Sequence, residues 1–256
     1  MRSMKRPTRA KWRGALVAAA VMAGLLVGAA APATAALTTP ACLAKKLKEW
    51  GNLRKCQTNE LAKLLLGKPS DPASCQTKLA TKLARLSLIA AATAVPCRYG
   101  VNGGSEAGTV TDYDTGLQWE LKTDDDSVHD QDNTYAWSAT SGPPDGALFV
   151  DFLGTLNQGF SADALTTTGC FAEHCDWRLP TIEELRGILD AQYPSCTMTP
   201  CTTIPGLTRP GFSDFYWSSS SYVTASDAWS VSFYDGYPEV HGKGTADFVR
   251  AVRSAL

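Results

Sequence analysis

Histidine is scarce in this chain, and the short motifs of several catalytic classes are missing. His129, His174 and His241 are the only histidines, and none lies in a recognisable nucleophile context. The chain contains no G-x-S-x-G, no H-E-x-x-H and no P-loop sequence, which argues against nucleophile-elbow hydrolases, zinc proteases and P-loop NTPases. We therefore expect a protein that binds rather than catalyses, with no catalytic residue.

Apolar runs long enough to span a membrane are also missing. The N-terminal region carries six Lys and Arg and no acid, followed by an apolar run from Ala15 to Ala30 and the small-residue site Ala33-Thr34-Ala35. This order is typical of a secretory signal peptide, and the run is short for a span of roughly 20 residues. We predict a signal peptide over residues 1–35 and an exported mature chain without a transmembrane span, located in the periplasm, on the cell surface or outside the cell.

The chain contains eight cysteines, an even number. In an oxidising compartment they indicate disulfides rather than metal thiolates. They fall into two groups of four along the chain: Cys42, Cys56, Cys75 and Cys97, then Cys170, Cys175, Cys196 and Cys201.

Charge divides the chain at about residue 100. Residues 36–100 hold 11 Lys and Arg against 3 Asp and Glu, whereas residues 101–256 hold 7 against 22. Such an asymmetry indicates two modules with different surfaces. We predict a helical module over residues 36–100 and a second domain over residues 105–256. The basic side chains are interpreted as ordinary solvated helix residues, with contact to an anionic polymer or envelope lipid as the alternative.

The first module has the pattern of a helical hairpin. Two Ala/Leu/Lys-rich segments flank the turn sequence GKPSDPAS. Facing positions in an antiparallel hairpin have nearly constant index sums, which favours the nested pairs Cys42–Cys97 and Cys56–Cys75 over the two other connectivities. Each bridge would contribute roughly 2–4 kcal/mol to a module with little core. Helical spacing predicts one buried stripe along the first helix, formed by Leu43, Leu47, Trp50, Leu53, Leu61, Leu64 and Leu65.

The second module is rich in short β-like runs. TVTDYDTGLQWE reads as strand, turn and strand, and Asp235-Gly236 supplies a two-residue hairpin turn. In CDWRLPTIEEL, Thr181 and Glu184 form a T-x-x-E capping box at a helix start. We predict structural roles for these two residues and for Trp177, Arg178, Trp217, Trp229, Arg250 and Arg253.

The motifs TGLQWE, DNTYAWS, DWRLPTIEEL, FYWSSSSY, AWSVSFYDG and FVRAVRS occur in this order. Together they resemble the C-terminal domain of the Legionella collagen-like adhesin, over about residues 108–254. The resemblance implies an α+β, C-type-lectin-like domain related to formylglycine-generating enzymes, with one or two helices on twisted antiparallel sheets. In the adhesin it implies trimerisation and binding of sulfated polysaccharides.

The chain departs from the adhesin in two ways. No collagen-like G-x-y repeat precedes the domain, so nothing enforces a trimer and homo-oligomerisation stays open. The domain is acidic, whereas a binder of sulfated glycans should present Lys and Arg, so a neutral or cation-bridged glycan fits better. We expect an exported binding protein or adhesin for a polysaccharide or another envelope component, not for nucleic acid. The alternatives are a structural domain of an envelope assembly and an oxidase of the formylglycine-generating type.

The acidic loop over residues 123–133, TDDDSVHDQDN, is a candidate calcium site. Carboxylates and an amide oxygen suit a cation that takes six to eight oxygen ligands, although the spacing is not that of an EF-hand. The alternative is a solvated acidic loop. The candidate ligands are Asp124, Asp126, Asp130, Asp132 and Asn133.

Aromatic rings beside hydroxyl groups suit stacking on sugars, because an aromatic side chain combines an apolar face with polar neighbours. The candidate contact residues are Tyr216, Tyr222, Tyr234 and Tyr237, and the last two flank the predicted Asp-Gly turn. Trp217 and Trp229 fit a buried aromatic row better.

The second cysteine group predicts the local disulfides Cys170–Cys175 and Cys196–Cys201. A tetrahedral zinc site that includes His174 is the alternative, and crosswise pairing stays open because sequence does not determine connectivity.

Overall fold

A computed structural model describes residues 39–92, 97–158, 169–189, 204 and 215–255. These residues belong to one compact unit, Leu37–Leu256. The predicted signal peptide and the predicted Cys196–Cys201 pair lie outside the described residues. Among the helices described, none is both long and apolar enough to cross a membrane.

The predicted helical hairpin and its disulfides are confirmed. α1 (Thr39–Leu65) and α2 (Pro72–Ala92) run antiparallel, and Gly67 takes a left-handed conformation, φ 65°, just after α1. The carboxylate of Asp71 accepts a hydrogen bond from the Ser74 N–H at 3.1 Å at the start of α2. The nested bridges Cys42–Cys97 and Cys56–Cys75 have Cα–Cα distances of 5.7 and 5.8 Å.

The predicted leucine stripe is only partly correct. Leu53 is buried against Leu79 and Leu83 of α2, but Leu61, Leu64 and Leu65 are 55%, 60% and 79% exposed. A hairpin of two helices covers one face of each helix, and no third element is described over this part of α1. Leu47 is also largely exposed.

The rest of the unit is an α+β domain, as predicted. Two short helices accompany its sheets, α3 (Gly154–Gln158), preceded by a π-helical segment (Leu148–Leu153), and α4 (Ile182–Gly187). The first sheet is antiparallel and contains, in spatial order, β1 (Tyr99–Val101), β2 (Thr109–Asp112), β3 (Leu117–Glu120) and β9 (Val252–Ser254).

The second sheet has five strands and is antiparallel except for one parallel pair, Tyr216 with Phe248. Its spatial order is β4 (Thr134–Ala136), β8 (Ala246–Phe248), β5 (Phe215–Ser221), β6 (Asp227–Ser232) and β7 (Pro238–Gly242). The predicted two-residue Asp235-Gly236 turn is wrong: Val231 pairs with Pro238 and Ser232 bonds to Tyr237, so residues 233–236 form a four-residue turn between β6 and β7. Gly236, the last residue of this turn, has a positive φ of 84°. The domain limits predicted at residues 36–100 and 105–256 stay predictions.

Both faces of the five-stranded sheet are covered. Tyr216 packs with Val231 and Phe233 in a cluster that also contains Trp119 of the first sheet. Its neighbour Trp217 joins a separate cluster. Successive side chains of a strand point to opposite faces, so the sheet has an apolar core on each side.

The segment that includes the predicted capping box connects both sheets. Thr181 accepts a hydrogen bond from the Glu184 N–H at 3.2 Å, and the Glu184 carboxylate accepts one from the Thr181 N–H at 2.8 Å. Arg178 bridges to Val252 of β9, and the Pro180 carbonyl accepts a hydrogen bond from Ser219 of β5 at 2.7 Å. These contacts make the segment a structural corner.

The hairpin packs onto the β2–β3 turn of the domain. The Trp50 Nε1–H donates to the Tyr113 carbonyl at 3.0 Å, and the Trp50 ring lies so close to Gly116 that a Cβ there would approach it to 2.5 Å. Lys46 is fully buried, pairs with Asp114 and donates to the Ser87 hydroxyl at 2.9 Å. This lysine is not the solvated residue that its basic helix predicts.

Candidate functional site

Tyr216 is not an exposed contact residue. Its side chain is 3% exposed, and its ring stacks on Phe233 with centroids 4.3 Å apart. The predicted contact role of Tyr216 is therefore corrected to a core role, because its strand lies in a sheet that is covered on both faces.

Tyr222 and Trp229 form an exposed ring pair where β5 turns into β6. Their centroids are 5.3 Å apart and nearly perpendicular, at 84°. Tyr222 is 38% exposed, whereas Trp229 is half-buried rather than part of a buried row. The Tyr222 N–H donates to the Asp227 carbonyl at 3.0 Å, and the hydroxyl of Thr224 donates to the Asp227 carboxylate, which closes the turn. Val240, opposite Trp229 on β7, extends this exposed apolar surface.

Tyr234 and Tyr237 lie at the other end of β6. They are 41% and 47% exposed, and the Asp235 carboxylate accepts a hydrogen bond from the Tyr237 N–H at 3.2 Å. Tyr222 lies beside Asp227 and Tyr237 beside Ser232, at opposite ends of β6, so at about 3.3 Å per residue their backbones are roughly 17 Å apart. The predicted tyrosines therefore do not converge on one site.

The predicted structural tryptophans and two of the arginines have defined partners. Trp217 is fully buried and donates from Nε1 to the Tyr135 carbonyl at 2.9 Å. Trp177 donates to the Phe171 carbonyl at 2.9 Å. Arg178 makes a bidentate pair with Glu184, with both distances 2.7 Å, which raises the pKa of Arg178. Arg253 pairs with Asp176 at 2.6 Å and donates to Gln118 at 2.7 Å.

Arg250 differs from the other two predicted structural arginines. It is fully buried, and in the part of the chain that the structure describes its guanidinium has no hydrogen-bond acceptor. Burial lowers the pKa of Arg250 against the attraction of Glu120 and neighbouring tyrosines. Arg250 is therefore a core residue whose guanidinium lacks hydrogen-bond acceptors among the described residues.

The acidic loop is organised by its own side chains. The Asp125 carboxylate accepts hydrogen bonds from the Thr123 hydroxyl at 2.8 Å and the Ser127 N–H at 2.9 Å, and the contacts to Ser127 and Thr123 lower the pKa of Asp125. Asp130 accepts from the Asp132 N–H at 2.7 Å, and Asn133 donates to the Ser127 carbonyl at 2.8 Å. Asp124 and Asp126 are exposed. Within the described residues, no three His, Cys, Asp or Glu side chains form a group arranged to hold a metal.

A buried polar network lies behind this loop, and its residues were not predicted from the sequence. Glu120 is fully buried and accepts from Lys122 at 3.0 Å and from the Ala251 N–H at 3.0 Å. His129 Nδ1 lies 2.7 Å from the same carboxylate, and its ring packs on Phe171 with centroids 4.2 Å apart. Burial raises the pKa of Glu120, but the contacts to Lys122, His129 and the Ala251 N–H outweigh it and hold the pKa below its ordinary value.

The network attaches the acidic loop to the core, since His129 belongs to the loop and Glu120 to β3.

The disulfide Cys170–Cys175, confirmed by a Cα–Cα distance of 5.1 Å, encloses Phe171. His174 lies 3.7 Å from Glu106, and its neighbouring cysteines are paired with each other, so these residues do not form the alternative zinc site. The E-x-K spacing of Glu120, the last residue of β3, and Lys122 is the one sequence feature that could have indicated the network.

Taken with the fold, these surfaces define a disulfide-stabilised helical hairpin packed on a two-sheet α+β domain that exposes aromatic side chains at its turns. Residues 108–253 match the family described as the Lcl C-terminal domain. The match covers more than half of the chain, so the chain belongs to this family, and the family predicted from the ordered motifs is confirmed. No curated protein and no solved structure matches the chain. The disulfides fit an exported protein.

Proposed function

We propose that this protein is an exported, non-catalytic binding protein or adhesin, and that its Lcl C-terminal domain recognises a carbohydrate of the cell envelope. The observation that carries the proposal is the exposed ring pair Tyr222–Trp229 at the β5–β6 turn. Perpendicular rings present an apolar face and a hydroxyl at one place, which suits the mixed apolar and hydroxyl surface of a sugar.

The charge of the domain supports a neutral or cation-bridged glycan. Residues 101–256 carry 22 acidic and 7 basic residues. Of these basic residues, Arg178 and Arg253 are in ion pairs, while Lys122, Lys243 and Arg250 are buried. Few cations therefore remain to attract a sulfated polymer to the domain itself.

A glycan array with purified residues 37–256 tests the proposal. Tyr222→Ala should reduce binding of the array hits about tenfold, since a lost stacking contact of this kind is worth about 0.5–1.5 kcal/mol beyond burial. Tyr234→Ala is the matched control at the other aromatic surface. Binding lost only with Tyr234→Ala moves the site to the β6–β7 turn, and an array without hits refutes carbohydrate recognition.

Calcium assistance by the acidic loop belongs to the same proposal. The exposed carboxylates of Asp124 and Asp126 would supply oxygen ligands and negative charge to the cation. Asp125 already orders the turn that carries these carboxylates. The array is therefore run with calcium and with a chelator, alongside calorimetric titration. Glycan binding that is unchanged by the chelator, with no heat of calcium binding, removes calcium and leaves the ring pair as the site.

A structural role within an envelope assembly is the second candidate. The observation that favours it is the buried contact between hairpin and domain, in which Lys46 and Trp50 hold the β2–β3 turn. Because these contacts fix the domain to the hairpin, the hairpin would hold the domain in one orientation for binding to a partner protein. Capture of a protein partner together with an empty glycan array would favour this role.

A further inference from the structure

The hairpin carries a cationic groove between α1 and α2. One cavity of about 300 Å³ is lined by Lys45, Lys48, Lys82 and Arg85 with Leu86 and Ile89. A second cavity, of about 220 Å³, continues it towards the Cys56–Cys75 bridge and shares Glu49 and Lys82 with the first. The groove therefore runs along the hairpin, with cations contributed by both helices.

The cations of the groove are available to a ligand. Lys45, Lys48, Lys82 and Arg85 form no ion pair with any residue that the structure describes, while Glu49 is the one acid in the lining. Lys82 and Arg85 are three residues apart on α2, about 4.5 Å along the axis. A surface with several negative charges is the complement of this arrangement.

The groove faces away from the acidic domain. Leu43, Lys46 and Trp50 contact the domain from one side of α1. At about 100° per residue, Lys45 and Lys48 lie on the other side of the same helix. A broad anionic surface can therefore approach the groove without meeting the acidic domain, which would repel it.

The apolar lining of the groove favours an anionic lipid surface over a soluble polyanion as the partner. Leu86 and Ile89 are aliphatic, and Ile89 is 42% exposed. Aliphatic side chains between lysines suit an interface in which the lysine stems lie on apolar surface while their ammonium groups reach lipid phosphates. A hydrated soluble polyanion gains little from such a lining.

We propose that the groove face of the hairpin docks onto an anionic lipid bilayer and holds the Lcl C-terminal domain away from it. Lipid phosphates contact Lys45, Lys48, Lys82 and Arg85, and Ile89 enters the headgroup region. The site lies on the hairpin and is independent of the proposed glycan site at the β5–β6 turn.

Vesicle co-sedimentation of residues 37–256 tests this proposal, because this unit contains every described contact and lacks the apolar N-terminal run. We expect binding to vesicles of mixed phosphatidylglycerol and phosphatidylcholine and none to phosphatidylcholine alone. Each cation near an anionic surface contributes about a fivefold factor to binding. The variant Lys48→Gln/Lys82→Gln/Arg85→Gln should therefore bind about 100-fold more weakly.

The matched control, Arg54→Gln/Lys63→Gln/Lys68→Gln, removes the same net charge outside the groove and should bind within about threefold of the unmodified protein, since distant exposed charges are screened. Equal loss in both variants, or no binding to the anionic vesicles, overturns the proposal. Thermal melts of both variants confirm that they fold.

Ile89→Ser separates a bilayer from a soluble polyanion. It should weaken vesicle binding while leaving binding of inorganic polyphosphate unchanged, because only the bilayer receives the aliphatic side chain. If polyphosphate binds in the groove and vesicles do not, the groove is a site for a soluble polyanion and the bilayer proposal is wrong.

Discussion

The hairpin and the β-rich domain are stabilised by different means. The hairpin buries few apolar side chains, chiefly Leu53, Leu79 and Leu83, and two disulfides join its helices and ends. The domain has an apolar cluster on each face of its five-stranded sheet, with large residues such as Trp119 and Trp217 fully buried. A short chain segment has too little interior to stabilise itself by burial, so covalent links replace it.

The two regions also treat buried charge differently. The hairpin buries one lysine, Lys46, at the place where it meets the domain. The domain buries Glu120, Lys122 and Arg250 within its own core. Lys46 therefore links the hairpin to the domain, whereas the Glu120–Lys122 pair lies within the domain, and losing one partner of either pair leaves a buried charge unpaired.

Removing the hairpin disulfides should have the largest effect. Chain entropy gives about 4 kcal/mol for a loop of separation 55 and about 3 kcal/mol for one of separation 19. We expect α1 and α2 to unfold when all four cysteines are replaced, in Cys42→Ser/Cys97→Ser combined with Cys56→Ser/Cys75→Ser. The domain should keep its near-ultraviolet circular dichroism.

The control for this experiment is Cys170→Ser/Cys175→Ser, whose loop has a separation of only 5 and is worth about 2 kcal/mol. It should lower the melting temperature modestly and leave helical content intact. A hairpin that retains its helical signal without both bridges would show that packing onto the domain, not the disulfides, stabilises it.

Glu120→Gln should have the next largest effect. It leaves the buried Lys122 without a counter-charge, which costs about 3–5 kcal/mol of unfolding free energy. Glu239→Gln, on the exposed strand β7, is the control and should change little. Urea unfolding measures the free energy of unfolding of both variants. Equal free energies for the two variants would contradict a stabilising role for the network.

The same variant should change the acid response. The pKa of Glu120 is lowered in the folded chain. Its contribution to stability is therefore present above its unfolded pKa, about 4.3, and is lost as the pH falls through the lower folded pKa. The stability of Glu120→Gln should consequently fall less steeply than that of the unmodified protein when the pH drops below about 4.3.

Asp114→Ala should have the smallest effect of the three and tests the junction. It removes the carboxylate that pairs with Lys46, which should cost about 2 kcal/mol, since a buried cation keeps only the Ser87 hydroxyl. The hairpin can relieve part of this cost by separating from the domain, so hydrogen exchange of β2–β3 amides should increase. Asp124→Ala, an exposed site, is the control, and identical exchange in both variants would argue against the junction.

Patterns local in sequence predicted their structures well. The T-x-x-E pattern gave a capping box at Thr181 and Glu184, because both partners lie within one helical turn. The nested cysteine pairs followed from the antiparallel geometry of a two-helix hairpin. The Asp-Gly pair located the hairpin turn between β6 and β7 correctly, but the strand register makes that turn four residues long, not two.

Predictions about which surface is covered were less successful. Tyr216 and Trp217 point to opposite faces of their strand, yet both are buried. The sheet is covered on both sides, so this strand has no face exposed to solvent. Leu61 and Leu65 are exposed although they follow a helical spacing, because helical periodicity identifies a face without showing what packs on it. Lys46 is buried because its partner Asp114 comes from a distant turn.

By itself, the sequence determined the hairpin, its disulfide pairing, the α+β class and the family, since each depends on short-range geometry or on ordered motifs. Only the tertiary structure decided that Tyr222 pairs with Trp229, that Glu120, Lys122 and His129 meet, and that the hairpin cations line one groove facing away from the acidic domain. These arrangements join residues far apart in the chain or compare exposed faces, and burial depends on the packing of whole elements rather than on any local pattern.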